Sequence, residues 1–296
     1  MANDITKAIS ANPIKNGTML VNGRARDCFD LSTTINILMN GSYTDLEEEA
    51  PNLVAAIGSF GYSYSTFTNI SESTFLGFSN GVLIIPELQG DNLDADLTSG
   101  AKNAIATFVN NGGTLITFEP SSNDLYILLN NIFGFSLDVN GINDPISLTS
   151  EGSSLLTTAP STIYYNDGTD SLYTTTLPPG SVTIYEGDAA NQSVVTMMPY
   201  GTGKIYVLGW DWYDGAPIGS QDNGWLDVLN LILSSSSPQC DAPLSYGITY
   251  DRYVQEYPTI TDIQDKYDQR FDNPSYYYGI GSDPVEVNIT DTIVGG

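Results

Sequence analysis

Acidic side chains carry most of the chemistry this sequence offers. Glu87 and Asp91 follow the apolar run 82–85, Glu119 follows the run 114–118, and Asp211 sits between Trp210 and Trp212 after the run 205–208. Carboxylates separated by about 5–10 Å can serve as acid and base in hydrolysis. Carboxylates beside indole rings also suit a sugar, so Glu87, Asp91, Glu119, Trp210, Asp211 and Trp212 form one candidate rim, with Tyr213 beside it. Asp91, Asp94 and Asp96 offer hard oxygens to calcium, without the Gly and the distant Glu of an EF-hand loop. Ser121 and Ser122 have no obvious base. The chain contains no histidine, which removes Ser-His and Cys-His pairs, imidazole ligands and the usual neutral-pH base. Lys102 and Lys204 are poorly placed to substitute. Cys28 and Cys240 show no metal spacing; they either pair or remain two thiols.

These residues need elements to position them. Residues 82–85 are apolar throughout and stop at Pro86, as a strand buried on both faces would. Ala101, Ala104, Ile105, Phe108 and Val109 then recur at helical spacing, with Ser99 placed to cap the start and Asn110, Asn111, Gly112 and Gly113 to end it. Residues 114–118 form the next strand. This is a βαβ unit with a right-handed crossover, and ligands in such sheets lie beyond the carboxyl ends of the strands. Upstream, residues 35–39 read as a strand. Thr44 and Glu47 have capping-box spacing, and Leu53, Val54, Ile57 and Phe60 continue a helix that tolerates Pro51 only in its first turn. Residues 62–67 alternate like a strand. Downstream, Asn123-Asp124 caps a helix closed by Gly134. Residues 205–208 form a strand, and Asp222 opens the last helix.

Three regions fall outside that pattern. Residues 1–33 read as an arm with a short edge strand at 18–21. Residues 136–200 are rich in Ser, Thr, Val, Ile and Tyr and broken by Pro and Gly, a β-rich insertion of short strands. Residues 237–296 form an aperiodic extension bearing Tyr250, Tyr253, Tyr257, Tyr267, Tyr276, Tyr277 and Tyr278. Purely solvating tails are poor in aromatics. These tyrosines are therefore expected to make subunit contacts, since tyrosine gives large contact area with few torsions to freeze.

Charge narrows the partners. Thirty-five acidic residues stand against 9 basic ones, a net charge of −26. Such a surface repels phosphate backbones, so direct nucleic-acid binding is not expected. No run approaches the length of a membrane span, and no secretory h-region is visible at the N-terminus.

With the elements placed, the pattern resembles a class I glutamine amidotransferase-like domain, a flavodoxin-like α/β fold. More narrowly, it resembles the non-catalytic modules of that type found in large bacterial surface and secreted proteins. The residues that carry the resemblance are Gly61-Tyr62, the stretch 82–88, the stretch 108–116, Asn123-Asp124 with Phe133-Gly134-Phe135, and the stretch 200–212. It covers about residues 34–236. The resemblance implies a nucleophilic cysteine in the turn after residues 114–118, with a histidine later. Here that turn is Phe118-Glu119-Pro120-Ser121, and amidotransferase chemistry is not expected.

The expected architecture is thus a flavodoxin-like parallel sheet flanked by helices, with a β-rich insertion and extensions at both ends. The expected role is a non-enzymatic structural or interaction protein, a subunit of a virion, appendage or surface assembly, with calcium as the one candidate cofactor. The absence of a visible signal peptide favours a virion component and leaves the cytoplasm open. Two alternatives stand beside it: a carbohydrate- or small-ligand-binding module, and a hydrolase using Glu87 or Glu119 with Asp211.

Overall fold

Alternation along buried strands explains the layering. In the strand Gly81–Ile85 every residue is buried. Val82 and Ile84 pack on one side, with Leu53, Ala56 and Ile57 of one helix and Val228, Leu229 and Ile232 of another. Leu83 and Ile85 pack on the other side, with Ala101, Ile105, Phe108, Leu128 and Leu129. A period of two places successive side chains on opposite faces, so one sheet carries two cores.

The computed structural model describes residues 34–236 except 79, 80 and 167, together with Thr18–Val21, Arg24–Asp27, Gly247–Ile248 and Val287–Asn288. The chain divides into two compact units, Ser32–Pro238 and a second made of Met1–Leu31 with Gln239–Gly296. In the second, Thr18–Val21 pairs antiparallel with Arg24–Asp27, and Gly247–Ile248 with Val287–Asn288.

In the first unit the strands are β1 (Thr34–Leu38), β2 (Tyr64–Phe67), β3 (Gly81–Ile85), β4 (Thr114–Phe118), β5 (Val139–Asn140), β6 (Ile146–Leu148), β7 (Thr162–Ile163), β8 (Ser171–Tyr173), β9 (Val182–Glu186), β10 (Gln192–Tyr200) and β11 (Gly203–Leu208). The helices are α1 (Glu49–Ser59), α2 (Glu72–Leu76), α3 (Leu93–Asp96), α4 (Ser99–Asn110), α5 (Leu125–Phe133), α6 (Ser150–Leu155) and α7 (Trp225–Ser236). The sheet order is β2-β1-β3-β4-β11-β10-β9-β6-β7, with β8 on β10 and β5 on β8. The first five strands are parallel, in the order of a flavodoxin-like sheet. No helix among the described residues is long and apolar enough to cross a membrane.

The β-rich insertion extends the same sheet instead of forming a separate lobe. β10 pairs antiparallel with β11 from Val195↔Leu208 to Tyr200↔Gly203. The connection is the two-residue loop Gly201-Thr202, and Gly201 takes φ +60°. A positive φ at the first loop residue matches the twist of paired strands, and glycine meets it without strain.

Three expected caps differ. Thr98, not Ser99, caps α4, its Oγ1 accepting from Ala101 N at 3.1 Å. Thr44 forms no capping box with Glu47. Its hydroxyl donates to Asn40 O, and α1 starts later, at Glu49, with Pro51 in its first turn. Asp124 makes no side-chain cap to α5. The preceding Asn123 instead ties its amide to Gly90 O and Asp91 O.

Candidate functional site

The parallel strands β3, β4 and β11 end side by side, and each is followed within three residues by an acidic one. β3 runs into Pro86-Glu87, β4 into Glu119, and β11 into Gly209-Trp210-Asp211. A fourth carboxylate comes from the next strand over. After β1 the chain turns through residues 39–48 and begins α1 with Glu49. The strand order reverses between β1 and β3, the place where open α/β sheets form a crevice.

One carboxylate oxygen each of Glu49, Glu87 and Asp211 lies within 4.8 Å of the other two. Glu49 and Glu87 are 5% and 2% exposed. The Gln89 amide donates to Glu49 Oε1 at 2.5 Å and to Glu87 Oε1 at 2.8 Å. Backbone Trp212 N donates to Glu87 Oε2 at 3.4 Å. Asp211 Oδ1 accepts from Tyr213 N at 2.7 Å, and its carboxylate abuts Gly168, where any Cβ would collide with it. Asn52 of α1 donates to Trp212 O at 3.0 Å, locking α1 to the segment after β11.

Glu119 and Asp170 complete the cluster. Glu119 hydrogen-bonds through its side chain to Glu87 and adopts φ +42°, the left-handed region that non-glycine residues rarely enter. Asp170, on the loop before β8, is 9% exposed, and its Oδ2 accepts from Ser121 N at 2.7 Å. Burial is the leading cause in raising all three shifted carboxyls. Glu49 is pushed up to about 9 by burial, then by Glu87 and Asp211. Asp170 rises to about 7 by burial, opposed by its bonds from Ser121 and assisted by Glu87. Glu119 lies far above the usual carboxylate range, through burial and then its bond to Glu87.

The expected residues thus separate into groups. Glu87, Glu119 and Asp211 come together. Asp91 does not join them: it is exposed, with its backbone bonded to Ser42 and Asn123. The expected calcium set fails as a set. Asp94 pairs with Lys102 at 2.6 Å and accepts from Asn131, while Asp96 accepts from the Tyr43 hydroxyl at 3.0 Å. Asp94 and Asp96 are held by separate partners, and among the described residues Asp91, Asp94 and Asp96 are not a set whose oxygens converge.

Trp210 and Trp212 are each 1% exposed. Trp210 stacks on Trp225 at 5.7 Å with planes 3° apart and lies 4.7 Å from Trp212, which meets Phe118 edge-on at 5.5 Å. They are core, not a stacking platform for sugar. Tyr213, 55% exposed, stays on the surface. Glu49 and Asp170 are the members that sequence reasoning missed. Tyr250, Tyr253, Tyr257, Tyr267, Tyr276, Tyr277 and Tyr278 lie outside the described residues, as do Cys28 and Cys240.

No protein-family model matches the chain, and no curated protein matches it in sequence. Among solved structures it is similar to a ThuA-like protein from Bacteroides uniformis, with 12% identity and a TM-score of 0.45 over 69% of this chain and 89% of that one. A GMP synthase subunit from Thermoplasma acidophilum matches with 12% identity and a TM-score of 0.44, over 76% of this chain and 98% of that one. A β-galactosidase from Rahnella sp. R3 matches with 14% identity and a TM-score of 0.47, over 69% of this chain but 31% of the enzyme. At these identities the likeness says nothing about activity.

Proposed function

We propose that this chain is a non-enzymatic structural and interaction protein, a module of amidotransferase-like architecture serving as a subunit of a virion, an appendage or a surface assembly. The observation that carries this reading is Glu119. It occupies the turn after β4, where the resemblance implies a nucleophilic cysteine, and its carboxyl is hydrogen-bonded to Glu87. A half-buried carboxyl held in its neutral form is a poor nucleophile. The absence of histidine removes the base that would activate a neighbour. The tyrosine-rich extension and the N-terminal arm add the surfaces through which such a subunit would assemble. The test is the native mass of the full chain, beside one lacking residues 245–296. Assembly by the full chain, lost on truncation without loss of folding, fits. A full-length monomer at high concentration sinks the reading.

A carboxylate-dependent hydrolase is the second reading. It is favoured by the meeting of Glu87, Asp211 and a protonated Glu119. The near-complete burial of Glu87 counts against it, because the sugar must reach that carboxylate as well as the acid. Turnover of aryl glycosides at mildly acidic pH, abolished by Glu119→Gln, would replace the first reading with this one.

A further inference from the structure

We propose that Glu49, Glu87 and Asp211 bind one divalent cation of the calcium class, tying the start of α1 to the ends of β3 and β11. The proposal is independent of the assembly reading. Convergence is the first observation: three oxygens from three distant segments lie within 4.8 Å of one another. The second is an orphan. Glu49 is 5% exposed, and its Oε2 is buried with no hydrogen-bond partner. A buried carboxylate oxygen left without a partner is costly, and buried charges are paired or coordinate metals.

Among the described residues of the first unit, no basic side chain pairs with Glu49 Oε2. Among the described residues of the first unit the basic side chains are Lys102 and Lys204. Lys102 is held by Asp94, and Lys204 stands at the start of β11, the opposite end of the sheet from Asp211. Asn52, Gln89 and Trp212 N already fix the surrounding geometry: they orient the ligands and leave Glu49 Oε2 to an ion.

Donor type and spacing choose the cation. All three donors are carboxylate oxygens, which suit calcium, magnesium or manganese rather than zinc or copper. Two oxygens on one ion can be no further apart than twice the metal–oxygen bond. That limit is about 4.2 Å for magnesium and about 4.6–5.2 Å for calcium. All three separations lie at or below 4.8 Å, within calcium's reach. Magnesium demands near-ideal octahedral geometry and gives up its waters reluctantly, which a buried and irregular set of carboxylates disfavours.

The test strips the full-length chain with EDTA, then titrates it with calcium, magnesium or manganese chloride at fixed ionic strength, reading calorimetry and melting. One calcium per chain, a raised Tm and at least about tenfold tighter binding of calcium than of magnesium are expected. Glu87→Gln and Asp211→Asn should each weaken calcium at least about tenfold, while Asp94→Asn leaves it unchanged. Glu49→Gln should melt above the parent in EDTA yet gain nothing from calcium, which separates a lost ligand from a lost fold. The proposal is overturned if millimolar calcium gives no saturable heat, or if sodium chloride reproduces the shift. It is equally overturned by calcium binding that survives both Glu87→Gln and Asp211→Asn, or by tighter binding of magnesium.

Discussion

Glu119 shows how one side chain can reverse what its position would otherwise do. It stands at φ +42° after a buried strand, a conformation that costs an ordinary residue on the order of 1 kcal/mol. Its carboxyl keeps its proton because burial and Glu87 disfavour the charge. Glutamine has the same shape and remains neutral. Glu119→Gln should therefore raise stability at about pH 8 by on the order of 1 kcal/mol, measured by urea unfolding in chelator. A clear loss of stability would mean that the ionised form is needed. Glu87, Glu119 and Asp211 are readable from the sequence because each follows an apolar run that can only be a buried strand. The same period, carried past the end of the strand, is what removes Trp210 and Trp212 from the rim. Tyr206, Leu208, Trp210 and Trp212 all join one core, so Asp211 points away from both indoles. Glu49 is hidden in three consecutive glutamates. Which of them turns inward depends on the turn through residues 40–48, fixed by long-range bonds such as Gln89 N and Gly90 N to Tyr43 O.

The end of β11 and helix α7 hold each other through aromatic rings. Trp210 lies parallel to Trp225 on α7, and the Trp225 indole donates to Tyr164 O at 2.8 Å, reaching into the insertion. Trp210→Ala should cost about 3–5 kcal/mol, as for large core aromatics. Because the segment after β11 also carries Asp211, near-ultraviolet circular dichroism and any calcium affinity should fall together. Loss of stability with unchanged calcium affinity would show that the stack does not position Asp211. Long elements are readable for this reason of burial: β1, β3, β4, β11 and helices α1, α4, α5 and α7 all pair an apolar period with a solid core face. The insertion is readable only as β-rich. Strands of two or three residues, such as β5 and β7, carry too few side chains for a period, and partners across the sheet decide them. Asp170 is placed by that pairing, through Asp170 N to Gly209 O at 2.9 Å, and nothing near it in sequence announces a site.

A chain of net charge −26 that also buries carboxylates should be sensitive to pH in two separable ways. Asp170 rises from 3.8 to about 7 and Glu49 from 4.5 to about 9. A raised carboxyl binds its proton more tightly folded than unfolded, so stability falls as pH climbs between the two values. The contribution of these groups is complete below about pH 4 and is lost as pH rises through about 7 for Asp170 and about 9 for Glu49. Repulsion among surface carboxylates acts in the same direction but yields to salt, whereas buried charges are screened far less. In chelator and high salt, Tm should therefore still decline from about pH 5 to pH 9. Glu49→Gln should flatten the upper part of that decline. Calcium should flatten it too, because an ion that binds only the folded chain stabilises it most where the carboxylates are ionised. Scanning calorimetry across that range, with and without calcium and at two salt concentrations, separates these effects. A decline abolished by salt alone would assign it to the surface, and a decline unchanged in Glu49→Gln would remove Glu49 as its cause.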